Sequence, residues 1–154
     1  MDEQNSERLR RVIAQAVAAT IEDMAFSIVE PVEDAVPTGG DVISTSLRLI
    51  EPRSAELWLL LPRDTGRALA RSLYSIEDAA ITDALLRDVA GELLNTIAGN
   101  VMRAVLPPDT RFELGLPEAG PGAFSADDCR RCTCSFTIDG MSMTVVADRR
   151  IAGP

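Results

Sequence analysis

Apolar residues recur every three or four positions in the first part of the chain, and polar residues fill most positions between them. This spacing places the apolar side chains on one face of an amphipathic helix. Ser6 precedes the periodic segment and is a favourable N-cap residue. The pattern therefore predicts a helix from Ser6 to about Ala25. The predicted buried face consists of Leu9, Val12, Ile13, Ala16, Val17 and Ile21.

The pattern changes after residues 30–41, a segment with several prolines and glycines that predicts a loop. Residues 42–50 alternate between apolar and polar side chains, and residues 55–61 form an almost continuous apolar run. Both segments are typical of β-strands, and residues 51–54 between them predict a hairpin loop.

Two further helices are predicted in the middle of the chain. Asp64 is a suitable N-cap for a short helix over about 65–74. A longer helix is predicted over about 80–105. Pro107-Pro108 ends it, because proline cannot continue an α-helix.

The C-terminal part of the chain has the alternation and turn residues of a β-structure. Residues 111–116 alternate and predict a strand, whereas residues 117–128 contain prolines and glycines and predict a loop. Two final strands are predicted over 131–138 and 141–148. Asp139-Gly140 between them is typical of a two-residue type I′ turn.

The element order α-β-β-α-α-β-β-β predicts an α+β fold, in which two long helices pack on an antiparallel-rich β-sheet. A length of 154 residues suits a single domain over 1–154. The two-residue turn also fixes the register of the last hairpin. The predicted pairs are Ile138 with Met141, Phe136 with Met143, Cys134 with Val145, and Cys132 with Ala147.

This register decides the environment of two of the three cysteines. Cys132 and Cys134 share the core side of the strand with Phe136, so we expect them to be buried, unpaired and free of metal. A structural zinc site takes four ligands, and the chain has neither a histidine nor a fourth cysteine. A redox role or a labile metal cluster is the alternative. Cys129 lies in the preceding predicted loop and indicates no function.

The charge and composition exclude several classes of function. The formal net charge of −9 argues against binding to nucleic acid or to an anionic membrane, and no apolar run reaches the roughly 20 residues that span a bilayer. The polar, acidic N-terminus is unlike a secretory signal, so we expect a cytoplasmic protein. The absence of histidine excludes Ser-His-Asp and Cys-His catalysis.

The outer face of the long predicted helix has an unusual composition. At about 100° per residue, Asp88, Glu92, Asn95 and Gly99 fall opposite the apolar arc, with Gly91 at the edge of this face. Glycine and asparagine are poor helix formers, whereas an ordinary solvated face would carry Lys, Glu, Arg and Ala. Glycines leave the surface low enough for another backbone or a bulky side chain to approach closely. An ordinary solvated face is the alternative interpretation, because the Glu-x-x-Asn spacing is common by chance.

The residues around this pair carry a family resemblance. The segment 91–100, Gly-Glu-Leu-Leu-Asn-Thr-Ile-Ala-Gly-Asn, closely resembles the signature helix of the CheC/CheX/FliY family of chemotaxis phosphatases. Asp88, Leu106-Pro107, and the Leu-Gly-Leu-Pro segment 114–117 match neighbouring features of that family. The first helix, followed by Ile-Val-Glu-Pro at 28–31, also looks like the opening of CheX-type chains.

The resemblance implies a phosphatase that hydrolyses the phospho-aspartate of a CheY-like response regulator. Glu92 would pair with a lysine of the regulator, and Asn95 would orient the attacking water. Asp88, Gly91 and Gly99 would line the partner-binding surface. The regulator would contribute Mg²⁺, so the phosphatase needs no cofactor of its own.

The resemblance also implies a subtype and an assembly. The first helix offers Glu22 but has Ala25 where a second asparagine would stand, so the chain has a single Glu-x-x-Asn site. A single site resembles the CheX subtype rather than the two-site subtype of the family. The resemblance to CheX-type proteins also implies a homodimer. The alternative function is a non-catalytic module of the same fold that docks a response regulator or a flagellar-switch component.

Overall fold

The computed structural model describes residues 3–33, 41–119 and 130–153, which form three α-helices and seven strands. The helices are α1 (Glu3–Ala25), α2 (Arg63–Tyr74) and α3 (Asp83–Val105). The strands are β1 (Val29–Val32), β2 (Val42–Glu51), β3 (Ala55–Pro62), β4 (Glu113–Leu114), β5 (Glu118–Ala119), β6 (Arg131–Ile138) and β7 (Met141–Asp148). Short 3₁₀ turns occur at Asp78–Ala80 and Arg149–Ala152.

The strands form one antiparallel sheet in the order β1-β6-β7-β3-β2-β4, and β5 also pairs with β2. The helices pack on one face of the sheet. On that face, alternate residues of β3 share the main hydrophobic core with residues of α1 and α3. Complete burial of a leucine or isoleucine contributes roughly 1.5–3 kcal/mol each. The predicted α+β fold is therefore confirmed. Fully buried core residues include Leu9, Ile13 and Ile21 of α1, Leu57, Leu59 and Leu61 of β3, and Leu86, Leu93 and Leu94 of α3.

The start of α1 differs from its prediction. The helix ends at Ala25 as expected but begins at Glu3, so Ser6 lies inside it. The carboxylate of Glu3 in the first turn is favourable at the positive end of the helix dipole. The sequence pattern missed this turn because it precedes the first apolar residue of the buried stripe.

Strand β1 replaces part of the loop predicted over 30–41. It pairs with β6 at the edge of the sheet, with Val29 opposite Ile138 and Pro31 opposite Phe136. Proline is tolerated in an edge strand, where one side of the backbone has no neighbouring strand to bond. Residues 34–40 of the predicted loop lie outside the described residues.

The N-termini of the two middle helices also differ from their predictions. The strands β2 and β3 match the predicted segments, but α2 begins at Arg63, directly after Pro62, and Asp64 lies in its first turn without a cap bond. The long helix α3 begins at Asp83 rather than near residue 80. Its N-cap is Thr82, whose hydroxyl accepts a hydrogen bond of 3.1 Å from the Leu85 backbone.

The segment after α3 forms two very short strands instead of one longer strand. Both β4 and β5 pair with β2, and the Gly115 N–H donates to the Arg48 carbonyl at 2.7 Å. Pro117 has no N–H to contribute to a ladder, which separates the two pairings. Leu116, the last residue of the strand predicted over 111–116, lies outside both short strands and is 87% exposed. Residues 120–128 of the predicted loop lie outside the described residues.

The hairpin β6–β7 has the predicted bounds, turn and register. Asp139 and Gly140 have φ values of 51° and 82°, and a type I′ turn requires a positive φ at both positions. All four predicted pairs are observed. Cys132 and Cys134 are free and buried as predicted, and Cys129 lies outside the described residues.

The other face of the sheet is more buried than simple alternation predicts. Trp58, Leu60 and Val146 form a second, smaller cluster there. Ser135 and Thr144, which alternation places on this face, are also buried, and their hydroxyl groups lie 3.1 Å apart in a hydrogen bond.

Candidate functional site

The two candidate catalytic residues lie on the exposed face of α3. Glu92 and Asn95 are both exposed, and so is Asp88, one turn before Glu92. Side chains three or four positions apart on a helix are neighbours, with Cβ atoms about 5–6 Å apart. The opposite face, the apolar arc of the helix, anchors it in the core, because its residues are all buried, namely Leu86, Val89, Ala90, Leu93, Ile97 and Val101.

The amide of Asn95 is available for binding. Among the described residues it makes no hydrogen bond, so both its Oδ1 and its Nδ2 can meet a partner or a water. The neighbouring Thr96 hydroxyl donates to the Glu92 carbonyl at 3.0 Å and therefore does not occupy the Asn95 side chain.

Glu92 has a neighbour that the sequence did not predict. The hydroxyl of Tyr74, the last residue of α2, donates to Glu92 Oε2 at 3.3 Å. Partial burial raises the pKa of Tyr74, and the Glu92 carboxylate and its hydrogen bond raise it further. The phenol is therefore a donor at neutral pH. No local signal links two residues 18 positions apart, because their contact depends on the packing of α2 against α3.

Gly91 is buried, because the chain itself occupies the low surface that this glycine creates. A Cβ at this position would stand 3.3 Å from the Cβ of Pro117, in the segment between β4 and β5. The close approach expected at the outer face of α3 is thus made here by the protein's own proline. Beside it lies a cleft of about 410 Å³, lined by Thr45, Arg87, Asp88, Gly91, Glu92, Pro117 and Ala119.

Gly99 is also buried rather than open to a partner. The guanidinium of Arg103 covers it, with Nη2 at 3.4 Å from the position of a Cβ. The structure therefore keeps Asp88, Glu92 and Asn95 exposed together, whereas both glycines lie beneath side chains of the chain itself.

The cysteine pair lies apart from this face, on the core side of β6. The two Sγ atoms are 3.9 Å apart and share a hydrogen bond. This hydrogen bond and burial raise the pKa of Cys134, which keeps it a neutral thiol. Within residues 3–33, 41–119 and 130–153, no group of three or more His, Cys, Asp or Glu residues could hold a metal ion.

None of the helices in the described residues is both long enough and apolar enough to cross a membrane. No family model matches the sequence, and no curated protein matches it either.

Comparison with solved structures, in contrast, gives clear likenesses. A CheX chemotaxis protein from Desulfovibrio desulfuricans is 15% identical with a TM-score of 0.71, over 91% of this chain and 97% of that chain. A CheC-like superfamily protein from Shewanella is 12% identical with a TM-score of 0.74, over 96% and 98% of the two chains.

A third likeness is to a CheX–CheY–BeF₃–Mg²⁺ complex from Borrelia burgdorferi. The matched chain of that complex is 16% identical to this chain, with a TM-score of 0.68, over 90% of this chain and 95% of that chain. These likenesses show that the chain has the fold of the CheX and CheC-like proteins, in agreement with the α+β fold that the resemblance implies.

Proposed function

We propose that the protein is a phosphatase that hydrolyses the phospho-aspartate of a CheY-like response regulator. The observation that carries the proposal is the exposed amide of Asn95, which bonds to none of the described residues and lies three residues after the exposed carboxylate of Glu92. Both project from a helix that is anchored by a fully buried opposite face. The similarity in fold to a CheX found in complex with CheY supports a partner of this kind.

The chemistry requires little from the phosphatase beyond positioning. In phosphoryl transfer, a water attacks phosphorus in line with the bond to the leaving oxygen, and catalysis comes mainly from orientation and charge stabilisation. The P–O bond to the aspartate breaks, its carboxylate leaves, and inorganic phosphate takes up the oxygen of the water. Asn95 Oδ1 accepts a hydrogen bond from this water and fixes its direction of attack. The neutral amide takes no proton from it.

Glu92 has the complementary role of docking. Its carboxylate pairs with a lysine of the regulator, which places the phosphoryl group in front of Asn95. The Tyr74 hydroxyl holds this carboxylate from the α2 side. The Mg²⁺ expected in the reaction belongs to the regulator, whose carboxylates would hold it and where it would neutralise charge on the phosphoryl group. The homodimer and the cytoplasmic location are part of the same proposal.

The decisive experiment measures dephosphorylation of a panel of phosphorylated response regulators from the same genome. Asn95→Ala should lower kcat by about 10²–10³-fold, by analogy with the loss of one positioned hydrogen-bonding group in other enzymes. Its unfolding free energy should change by less than about 0.5 kcal/mol, because Asn95 is exposed. Gln15→Ala, which removes an exposed amide from α1, is the matched control and should keep full activity. Glu92→Ala should mainly raise KM.

Full activity of Asn95→Ala would refute the catalytic role. If that variant and the wild type both bound a regulator without hydrolysing it, the non-catalytic binding module would be the correct function.

A further inference from the structure

An arginine side chain lies on the same stripe of α3 as the candidate catalytic pair. Three atoms of the Arg103 guanidinium, Nη2, Nη1 and Cζ, lie 3.4, 3.6 and 3.8 Å from the position that a Cβ of Gly99 would occupy. These similar distances show that the guanidinium lies across the glycine instead of extending into solvent. Arg103 nevertheless remains exposed on its outer side.

A chain of hydrogen bonds from α1 holds this arginine in place. Arg103 Nη2 donates to Asn100 Oδ1 at 2.8 Å, and Asn100 Nδ2 donates to Thr20 Oγ1 at 3.1 Å. The Thr20 hydroxyl, which is buried, donates to the Ala16 carbonyl at 2.7 Å. The position of the guanidinium is therefore tied to the packing of α3 against α1.

The arginine completes a polar gradient along the outer face of α3. At 100° per residue, Glu92, Asn95, Gly99 and Arg103 fall within an arc of about 80°. The guanidinium covers Gly99, one turn beyond Asn95. Along the helix, the carboxylates of Asp88 and Glu92 therefore lie before the Asn95 amide, and a positive charge lies after it. A cation near a helix C-terminus is favourable in itself. That effect requires neither a glycine beneath the guanidinium nor its bond to Asn100.

We propose that Arg103 is a partner-binding residue that pairs with a carboxylate on the surface of the regulator, and so sets the orientation in which Glu92 and Asn95 meet the phosphorylated site. The inference rests on the proposed function. Mg²⁺ is bound by oxygen ligands, chiefly carboxylates, so the surface around a Mg²⁺-dependent phospho-aspartate is rich in acidic groups. The guanidinium lies against its own helix and is anchored to Asn100, so it meets the rim of that surface rather than the recessed phosphoryl group.

The test uses Arg103→Ala and the receiver domain that is dephosphorylated fastest in the panel. KM should rise about 3- to 5-fold with kcat unchanged, as expected for the loss of one exposed ion pair. The Kd should rise by the same factor for the unmodified receiver domain and for its beryllofluoride-activated form. The difference from wild type should shrink in high salt, because exposed charge pairs are screened.

Two further variants separate this role from a general charge effect. Asn100→Ala keeps the arginine but removes its anchor, so it should raise KM by a smaller factor. Arg8→Ala removes an equal charge about 18 Å along α1 from Thr20 and should leave KM unchanged. Thermal unfolding of each variant shows whether the fold is kept.

An unchanged KM and Kd in Arg103→Ala would overturn the inference, as would an equal change in Arg8→Ala. An effect confined to the beryllofluoride-activated form would show a phosphoryl contact and overturn the assignment to a surface carboxylate. Asn95→Ala on the same substrate tests the proposed function separately. If Asn95→Ala is inactive but Arg103→Ala has normal kinetics, the role of Arg103 is refuted and the proposed function is kept.

Discussion

The β6–β7 hairpin and the outer face of α3 were predictable to very different degrees. In the hairpin, a two-residue turn and a period of two determine the register and the core face, and every predicted pair is observed. On α3, the period of 3.6 correctly separates Glu92 and Asn95 from the core but says nothing about what approaches them. Local periodicity thus indicates which face points to the main core, whereas the surroundings of the opposite face depend on distant segments such as those with Tyr74 and Pro117.

Substitutions in the two regions should also have different kinds of effect. Hairpin residues should affect the free energy of unfolding without affecting activity, because their contacts lie inside the core. Residues of the α3 face should affect partner binding or hydrolysis with little effect on stability. Each of the following variants tests one side of this division.

Cys134→Ser should have the largest effect on stability. It places a hydroxyl on the buried core side of β6, opposite Val145, and should lower the free energy of unfolding by about 1–3 kcal/mol while leaving phosphatase activity intact. Urea unfolding and the activity assay provide the two measurements. Thr137→Ser, on the half-buried outer face of the same strand, is the control and should cost less than about 0.5 kcal/mol. Loss of activity without loss of stability in Cys134→Ser would contradict the division.

Tyr74→Phe should affect binding modestly. Removal of the hydroxyl leaves Glu92 less fixed, so we expect KM to rise about 2- to 3-fold at unchanged kcat, as for a hydrogen bond of about 0.5 kcal/mol. Ser72→Ala, which removes an exposed hydroxyl from the same helix, is the control. An unchanged KM in Tyr74→Phe, or an equal rise in Ser72→Ala, would show that the hydroxyl does not position Glu92.

The same tyrosine gives a pH dependence of stability. Burial and the Glu92 carboxylate raise the pKa of Tyr74, so the fold favours the protonated phenol. This contribution to stability is fully present below the ordinary tyrosine pKa of about 10 and is lost as the pH rises from there through the raised pKa of the folded protein. Wild type should therefore lose more stability than Tyr74→Phe as the pH rises above about 10. Parallel stability curves for the two proteins would refute this.

The two glycines of α3 should give small effects on stability that differ from each other. Gly99→Ala gains about 0.5–1 kcal/mol of helix propensity, and its Cβ meets only the movable end of Arg103. Gly91→Ala gains the same propensity, but its Cβ meets the ring of Pro117, so the net change should be zero or destabilising. Urea midpoints measure both variants. Equal stabilisation would show that Pro117 can move away from α3.

The errors of the sequence interpretation have physical causes. Strands β1 and β5 were missed because four and two residues are too few to display a period, and their pairing with β6 and β2 involves distant parts of the chain. Asp64 and Thr82 are both good N-cap residues in type, but only Thr82 has the position that caps a helix. The composition of the outer face of α3 indicated Glu92 and Asn95, but only the family resemblance implied a role for them, because a carboxylate and an amide on a helix surface have no distinctive pattern of their own.

The single tryptophan offers a spectroscopic consequence of the two-sided sheet. Trp58 lies in the smaller cluster, on the face away from α3, with the Arg131 guanidinium 4.3 Å from its ring centroid. Its fluorescence should therefore shift when the sheet unfolds and should stay nearly constant when a partner docks on α3. The tryptophan emission, excited selectively, is thus a reporter of folding that remains silent during binding, and a partner without tryptophan could be titrated with no change in that signal.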